Sequence, residues 1–358
     1  MNSSDYHEPQ SITVGIPLVV LGYGNIGKQF IKILKQHKKQ LVKKMNQPFA
    51  LIAVANSTTF HISQTCLLNQ ELRLTQSNQH GQLINALDVY KGKPLVFIDL
   101  TASEWVANQY LKLAQNGWHL ISANKIAAAD KGWAQSVEKA IKLNQRRWLK
   151  NTTVGAGLPV QDSIRKLQTS GDQIRSISGV FSGSLSWLFG QYDGKTSFMD
   201  WVKQAQNKAY TEPDPREDLS GQDVYRKALI LAGELGVEPQ QIHFEPVIPA
   251  EYLKGTIDEF WQNKSTINCY IENLWQSAYQ QNQRLRYLAT VSAAELRVEL
   301  VAVDQDHAAA GLKPGDNIFI IESGWYSDNP LVIQGPGAGR EVTAAGVLTD
   351  LIEVLQSN

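Results

Sequence analysis

Between residues 210 and 232 the chain reads YTEPDPREDLSGQDVYRKALILA, a run that gathers five acids and one amine around two prolines. Pro213 and Pro215 fix φ and remove backbone donors, which predicts a stiff, non-helical segment over residues 211–217. Ser220 followed by Asp223 predicts a helix start, with Ser220 as N-cap and Asp223 in the first turn. Val224, Ala228, Leu231 and Leu235 then recur at helical spacing, and Gly236 is placed to end the helix. Asp223 and Lys227 lie one turn apart and share a face beside that apolar stripe. With Glu212, Asp214, Glu217 and Asp218 they could line one polar pocket. The competing reading is an ordinary exposed pair contributing about 0.3–0.5 kcal/mol. A second chemistry is written near the start, where Gly22-Tyr-Gly24-Asn25-Ile26-Gly27 forms a GxGxxG. In such a turn Gly22 permits the tight bend, Gly24 lets the backbone approach a diphosphate, and Gly27 lets helix and strand pack closely. The anion would sit on the first N–H groups of the helix. A glycine turn chosen only for packing is the alternative.

Elements able to hold these residues follow from the apolar pattern. Residues 17–21 form a short apolar run typical of a buried parallel strand, and Ile26, Phe30, Ile33 and Leu34 give the following helix its apolar face. FALIAVA at residues 49–55 is a second strand, ending on Asn56. An acid at this point usually binds the ribose 2′-hydroxyl of NAD. Asn56 carries no charge to repel a 2′-phosphate, and no arginine stands by to grip one, so the balance leans to NADP with NAD as the alternative. Residues 60–92 read as a helix or loop region over the sheet. LVFIDL at 95–100 is a further buried strand with Thr101 at its C-terminal end, where ligands of doubly wound sheets bind. Residues 118–121 lead into Ser122-Ala-Asn124-Lys125, and 131–144 read as a helix.

Past a basic run at 145–150, Asn151-Thr-Thr-Val154-Gly-Ala156-Gly-Leu158 opens a second domain. Residues 174–181 read as a strand entering Ser182-Gly183-Ser184, and 198–208 as a helix. Residues 237–300 have mixed patterns, with strands at 286–291 and 296–303 belonging to an open sheet. A turn at 313–316 precedes a strand at 318–322. A second glycine cluster, Gly335-Pro-Gly337-Ala-Gly339, stands before an amphipathic helix over 342–355.

Length and composition set bounds. At 358 residues the chain is long enough for two cores, and 43% hydrophobic with 19% charged residues fits a globular protein. Lys plus Arg and Asp plus Glu both number 34, so no global field favours nucleic acid or an anionic membrane. Lys35, Lys38, Lys39, Lys43 and Lys44 read as a solvated helix face and loop. Cys66 and Cys269 lack metal-ligand spacing and read as reduced thiols, and no leader peptide or bilayer-length apolar run is present. The expected compartment is the cytoplasm.

Taken together, the 210–232 run, the SANK at 122–125, the NTTVGAGLPV at 151–160, the serine-bearing turn at 182–186 and the GPGAG-x-x-VTAAGVL block resemble the homoserine dehydrogenases from about residue 16 onward. The resemblance implies a Rossmann-type parallel sheet over residues 1–150, completed by 335–358. It also implies an α+β substrate-binding and dimerisation domain over 151–334, and a homodimer. It suggests a short, monofunctional member with neither an aspartokinase segment nor a regulatory domain. It implies reversible hydride transfer between NAD(P) and the L-aspartate 4-semialdehyde/L-homoserine pair. Lys227 is then the first candidate for the proton and Lys125 the second, with Lys125 also reaching the nicotinamide. Glu212 and Asp223 bind the substrate, with Asp218, Tyr210, Gly183 and Ser184 nearby. Gly22, Gly24, Asn25, Ile26, Gly27, Asn56, Thr101, Gly337, Gly339 and Thr343 belong to the cofactor. The resemblance further implies a sodium or potassium ion on the carbonyls of Val154, Ala156 and Leu158, although Asn151 stands where the family has a glutamate. Another amino-acid semialdehyde or hydroxy-acid dehydrogenase, or a dinucleotide sensor without catalysis, would share the nucleotide motif.

Overall fold

The structure, a computed structural model, describes residues 15–69, 71–74, 76–77 and 81–356. The polar lead-in over residues 1–15 lies, but for Gly15, outside them. The chain divides into two compact units, one running to Thr152 and resuming at Arg340, the other spanning Thr153–Gly339.

Among the described residues the first unit holds a seven-stranded sheet in the order β4-β3-β2-β1-β5-β6-β7. Its parallel strands are β1 (Ile16–Leu21), β2 (Phe49–Ala55), β5 (Val96–Asp99), β6 (His119–Ser122) and β7 (Trp148–Leu149). Every residue of β1, β2, β5 and β6 is buried, as a sheet covered on both faces requires. Residues 60–92 depart from expectation. They add two short strands, β3 (Thr59–Ile62) antiparallel to β2 and β4 (Gln76–Ser77) antiparallel to β3. β4 is the sheet edge with both residues exposed, β3 lies between it and β2, and strands of two and four residues are too short for a period to be read.

The first helix, Asn25–Met45, buries Phe30, Ile31 and Leu34 and ends on Asn46 in the left-handed region. The lysine-rich face is helical throughout, with Lys35, Lys39, Lys43 and Lys44 exposed. Alongside it packs the last helix, Arg340–Gln356, whose Ala344, Val347, Leu351, Val354 and Leu355 join the same core as Leu18, Val20 and Leu34.

Among its described residues the second unit holds a six-stranded sheet in the order β13-β12-β8-β10-β11-β9. These are β8 (Ile174–Val180), β9 (Gln241–Phe244), β10 (Arg284–Ser292), β11 (Glu295–Val303), β12 (Asp316–Ser323) and β13 (Leu331–Pro336). All neighbours are antiparallel except β9 and β11. The expected open sheet is present, but a 17-residue helix, Lys264–Gln280, interrupts the region read as strands. Only Ile267, Ile271 and Ala278 of that helix are buried, so its apolar stripe is thin.

The acid-rich run also folds differently in detail. Pro215 opens a short helix, Pro215–Leu219, at the position where a missing N–H does no harm, and Asp214 caps it. The next helix, Gln222–Leu235, is capped not by Ser220 but by Gly221, held at φ +70°. Ser220 ends the preceding helix instead, its hydroxyl donating to the Glu217 carbonyl. The later boundary follows expectation, with Gly236 at φ +68° closing the helix.

Leu351 is fully buried in the core shared by the first and last helices. Leu351→Ala is expected to lower stability by about 2–5 kcal/mol, read as an earlier urea midpoint.

Candidate active site

In the first unit the glycine turn has the form a diphosphate needs. Gly22 sits at φ +101°, and a Cβ there would lie 2.6 Å from the Leu100 carbonyl carbon and oxygen. A Cβ on Gly27 would lie 2.1 Å from the Gly22 carbonyl oxygen, so only glycine lets the helix close on the strand. A Cβ on Gly24 would meet nothing within 4 Å. Gly24 is the N-cap and brings no side-chain cap, and the first intrahelical bond runs from Lys28 N–H to its carbonyl. The N–H groups of Asn25, Ile26 and Gly27 therefore precede the helical ladder at the positive end of the dipole. At the end of β2 the Asn56 side-chain oxygen accepts from the backbone N–H groups of Thr58 and Thr59, at 2.9 and 2.7 Å, and so builds the turn into β3.

A buried carboxylate joins the ends of β5 and β6. Asp99 is wholly buried, and its oxygens accept from Thr101 N–H at 2.8 Å, the Tyr110 hydroxyl at 2.7 Å and the Asn124 amide at 3.1 Å. Asn124 also donates to the Ser103 carbonyl and accepts from Ile126 N–H. Asn124 is thus anchored, and Lys125, which follows it, is half-buried. Burial raises the Asp99 pKa, and the hydrogen bonds from Thr101, Tyr110 and Asn124 offset this only in part. Burial, then the Asp99 charge, pushes the Tyr110 hydroxyl well up, so it stays a donor.

In the second unit Lys227 is 8% exposed. Its ammonium donates to the Phe181 carbonyl at 2.7 Å and pairs with Asp223 at 2.8 Å. Asp223 is half exposed, so the pair is neither an ordinary surface contact nor sealed from solvent. Phe181 follows β8 directly, and Ser182 caps the Gly183–Gln191 helix by accepting from Leu185 N–H. Ser184 donates to one Asp218 oxygen at 2.6 Å, while Glu212 N–H donates to the other at 2.8 Å. Burial, then the Asp223 charge, raises the Asp218 pKa. Lys227, Asp223, Asp218, Ser184 and the Glu212 backbone are thereby drawn to one end of β8.

Other nominated residues stand apart from that cluster. Tyr210 is half exposed and packs edge-on against Trp187 at 5.3 Å. Asp214, which could have lined the pocket, caps its own helix and pairs with Arg216 at 2.6 Å. Gly337 is buried against the Asn317 amide, Gly339 sits at φ +127°, and Thr343 is buried in the last helix. Along the segment nominated for a cation, Gly155 and Ala156 both take positive φ. The Leu158 carbonyl accepts from Val160 N–H, and the Asn151 amide donates to Asp350. None of the nominated donors is a carboxylate, and the Leu158 carbonyl keeps a second lone pair beyond its bond from Val160. Sequence reasoning overlooked the Phe181 carbonyl and the Tyr110 hydroxyl; a backbone acceptor and a helix tyrosine leave no pattern to find.

A family model described as homoserine dehydrogenase matches residues 159–352, and one described as homoserine dehydrogenase, NAD binding domain, matches residues 22–151. The bifunctional aspartokinase/homoserine dehydrogenase 2 of Escherichia coli is 42% identical over 350 residues, which cover 95% of this chain and 43% of that protein. The chain thus spans under half the length of that relative. The homoserine dehydrogenase of Schizosaccharomyces pombe is 33% identical over 359 residues, 95% of each chain. A solved hyperthermophilic archaeal homoserine dehydrogenase in complex with NADPH superposes with a TM-score of 0.72 over 95% of this chain and 97% of its own. At 18% identity that likeness speaks for the fold.

Replacing Asp99 by Asn isolates its proton linkage. Because the folded pKa is raised, the folded state binds the proton more tightly. Asp99 then favours folding most below its unfolded pKa of about 3.9, and loses that contribution as pH rises through the folded value. The stability difference between Asp99→Asn and the parent protein, measured by denaturation at several pH values, is expected to move in favour of the variant across that window and then level off.

Proposed function

This chain belongs to the homoserine dehydrogenase family, and we propose that it catalyses reversible hydride transfer between NAD(P) and the L-aspartate 4-semialdehyde/L-homoserine pair. The observation that carries the reading is the buried Lys227 ammonium, held between the Phe181 carbonyl and Asp223. Bound nicotinamide would supply the hydride to the aldehyde carbon, or take it back from the alcohol. Lys227 holds a proton at Nζ for the oxygen that becomes an alkoxide, and accepts it again in the reverse direction. Lys125 is the second proton carrier, next in sequence to Asn124, whose amide donates to Asp99. Asp223 and Glu212 bind the amino and hydroxyl ends of the substrate, with Asp218, Ser184, Gly183 and Tyr210 around them.

The cofactor residues are Gly22, Gly24, Asn25, Ile26 and Gly27 for the diphosphate, Asn56 toward the ribose, and Thr101, Gly337, Gly339 and Thr343 elsewhere along it. NADP is the favoured form. Asn56 brings no charge against a 2′-phosphate, and the archaeal homoserine dehydrogenase of like fold was captured with NADPH. The reading includes a homodimer through the second unit's open sheet, and a cytoplasmic enzyme. Among the described residues no helix is long and apolar enough to cross a membrane. No step is assigned to a monovalent cation, and rates with and without sodium or potassium decide whether one takes part.

Nicotinamide reduction followed spectrophotometrically with homoserine, in NAD and in NADP, tests the assignment. No reduction with homoserine, or faster turnover of another amino-acid alcohol, would replace it. Lys227→Ala is expected to lower kcat by about 10²–10⁴-fold, with cofactor Kd unchanged. An equal loss in both would remove Lys227 from the proton step.

A further inference from the structure

The second unit contains a cavity of about 350 Å³ that none of the proposed catalytic residues lines. That volume is within the range of small-molecule sites. Phe189, Tyr192, Trp275, Arg284, Arg286 and Gly311 form its walls. Arg286 is the unusual member, an arginine only 6% exposed. Its guanidinium donates to the carbonyls of Ala309, Phe189, Leu285 and Ala310, at 2.8, 3.1, 2.8 and 2.6 Å. A guanidinium has five N–H groups, so one remains after those four. The acceptors are all neutral, and among the described residues no carboxylate pairs with Arg286.

A buried charge without a counter-charge is costly, and carbonyl dipoles offset only part of that. The Arg286 pKa is accordingly lowered to about 10, first by burial and then by the charge of Arg284. Arg284 is exposed and brings a second guanidinium to the same cavity. Tyr192 and Trp275 also line the cavity, packed edge to face at 5.9 Å. Burial, followed by Glu272 and Asp193, raises the pKa of the Tyr192 hydroxyl, which therefore stays protonated. The four carbonyl bonds fix the Arg286 guanidinium in place and leave one N–H for a ligand.

We propose that this cavity binds a small organic carboxylate with a flat, apolar body, its carboxylate on Arg284 and Arg286 and its body against Tyr192 and Trp275. The exposed Arg284 can offer a carboxylate the two parallel N–H groups of a guanidinium fork, while Arg286 contributes its one remaining N–H and its charge. Rings offer a face to the rest of the molecule, which an inorganic anion would leave unused. The site stands independently of the dehydrogenase assignment.

Benzoate is the probe, with benzamide as its neutral counterpart and inorganic phosphate as the anion without a ring. Binding is read by calorimetry and saturation-transfer NMR on the full chain. Benzoate is expected to bind at millimolar concentration or below, and at least roughly tenfold more tightly than benzamide or phosphate. Arg284→Gln changes an exposed side chain and is expected to weaken benzoate several-fold. Gly311→Phe fills the cavity from a position where a Cβ meets nothing within 4 Å. It should abolish benzoate binding with unfolding midpoint and homoserine turnover unchanged. Lys227→Ala should retain benzoate binding, which separates this cavity from the proposed catalytic residues. The proposal is overturned if benzamide or phosphate binds as well as benzoate, if benzoate does not bind, or if Gly311→Phe leaves its binding intact.

Discussion

One ammonium organises the second unit. Lys227 is drawn out of water by the helix Gln222–Leu235, whose neighbouring residues Val224, Ala228 and Leu231 are core. A charge so placed requires partners, and it has two of different kinds. The Phe181 carbonyl ties it to the end of β8, and Asp223, one turn earlier in its own helix, supplies the opposite charge. Helix, strand end and the start of the Gly183–Gln191 helix are thus held in mutual register by the group to which we assign the proton step. Because Asp223 keeps half its surface in water, the pair avoids the full desolvation penalty of a sealed ion pair.

The first unit solves the converse problem. Asp99 is an acid taken out of water, and Thr101, Tyr110 and Asn124 meet it as neutral donors rather than as cations. Neutral donors offset burial less completely than a counter-charge does, which is why the carboxyl titrates high. What the arrangement gains is direction. Each donor comes from a different segment, so one side chain aligns the turn after β5, the tyrosine helix and the loop that carries Lys125.

Legibility in the sequence followed how local each constraint was. The glycine turn was readable because its GxGxxG spacing is local, as is the approach of Gly27 to the Gly22 carbonyl, whereas Gly22 itself is crowded by the distant Leu100 carbonyl. The parallel strands were readable because burial on both faces leaves them apolar throughout. The pairing of Asp223 with Lys227 follows from helical spacing alone. Other features depend on partners remote in the chain. Nothing around Gly221 distinguishes it from Ser220 as the cap, because the reason is a left-handed backbone with the Tyr287 hydroxyl 1.9 Å from where a Cβ would stand. The Lys264–Gln280 helix buries few residues and so lacks the stripe that would declare it. Arg286 sits in an ordinary strand pattern, and its acceptors at residues 189, 309 and 310 are remote in the chain. Tyr210 belongs to the acid-rich run by position, yet its ring is claimed by Trp187.

The order in which the two units can mature follows from where the last helix belongs. Residues 340–356 complete the first unit's core, pressing Val347 and Leu351 into the cluster around Leu18 and Leu34. During synthesis the second unit, continuous from Thr153 to Gly339, leaves the ribosome before that helix does. The nascent nucleotide unit must therefore wait with an open apolar seam along its first helix while its younger neighbour is already whole. Until residues 340–356 emerge that seam has no cover, because the unit it belongs to is built from segments on either side of the other.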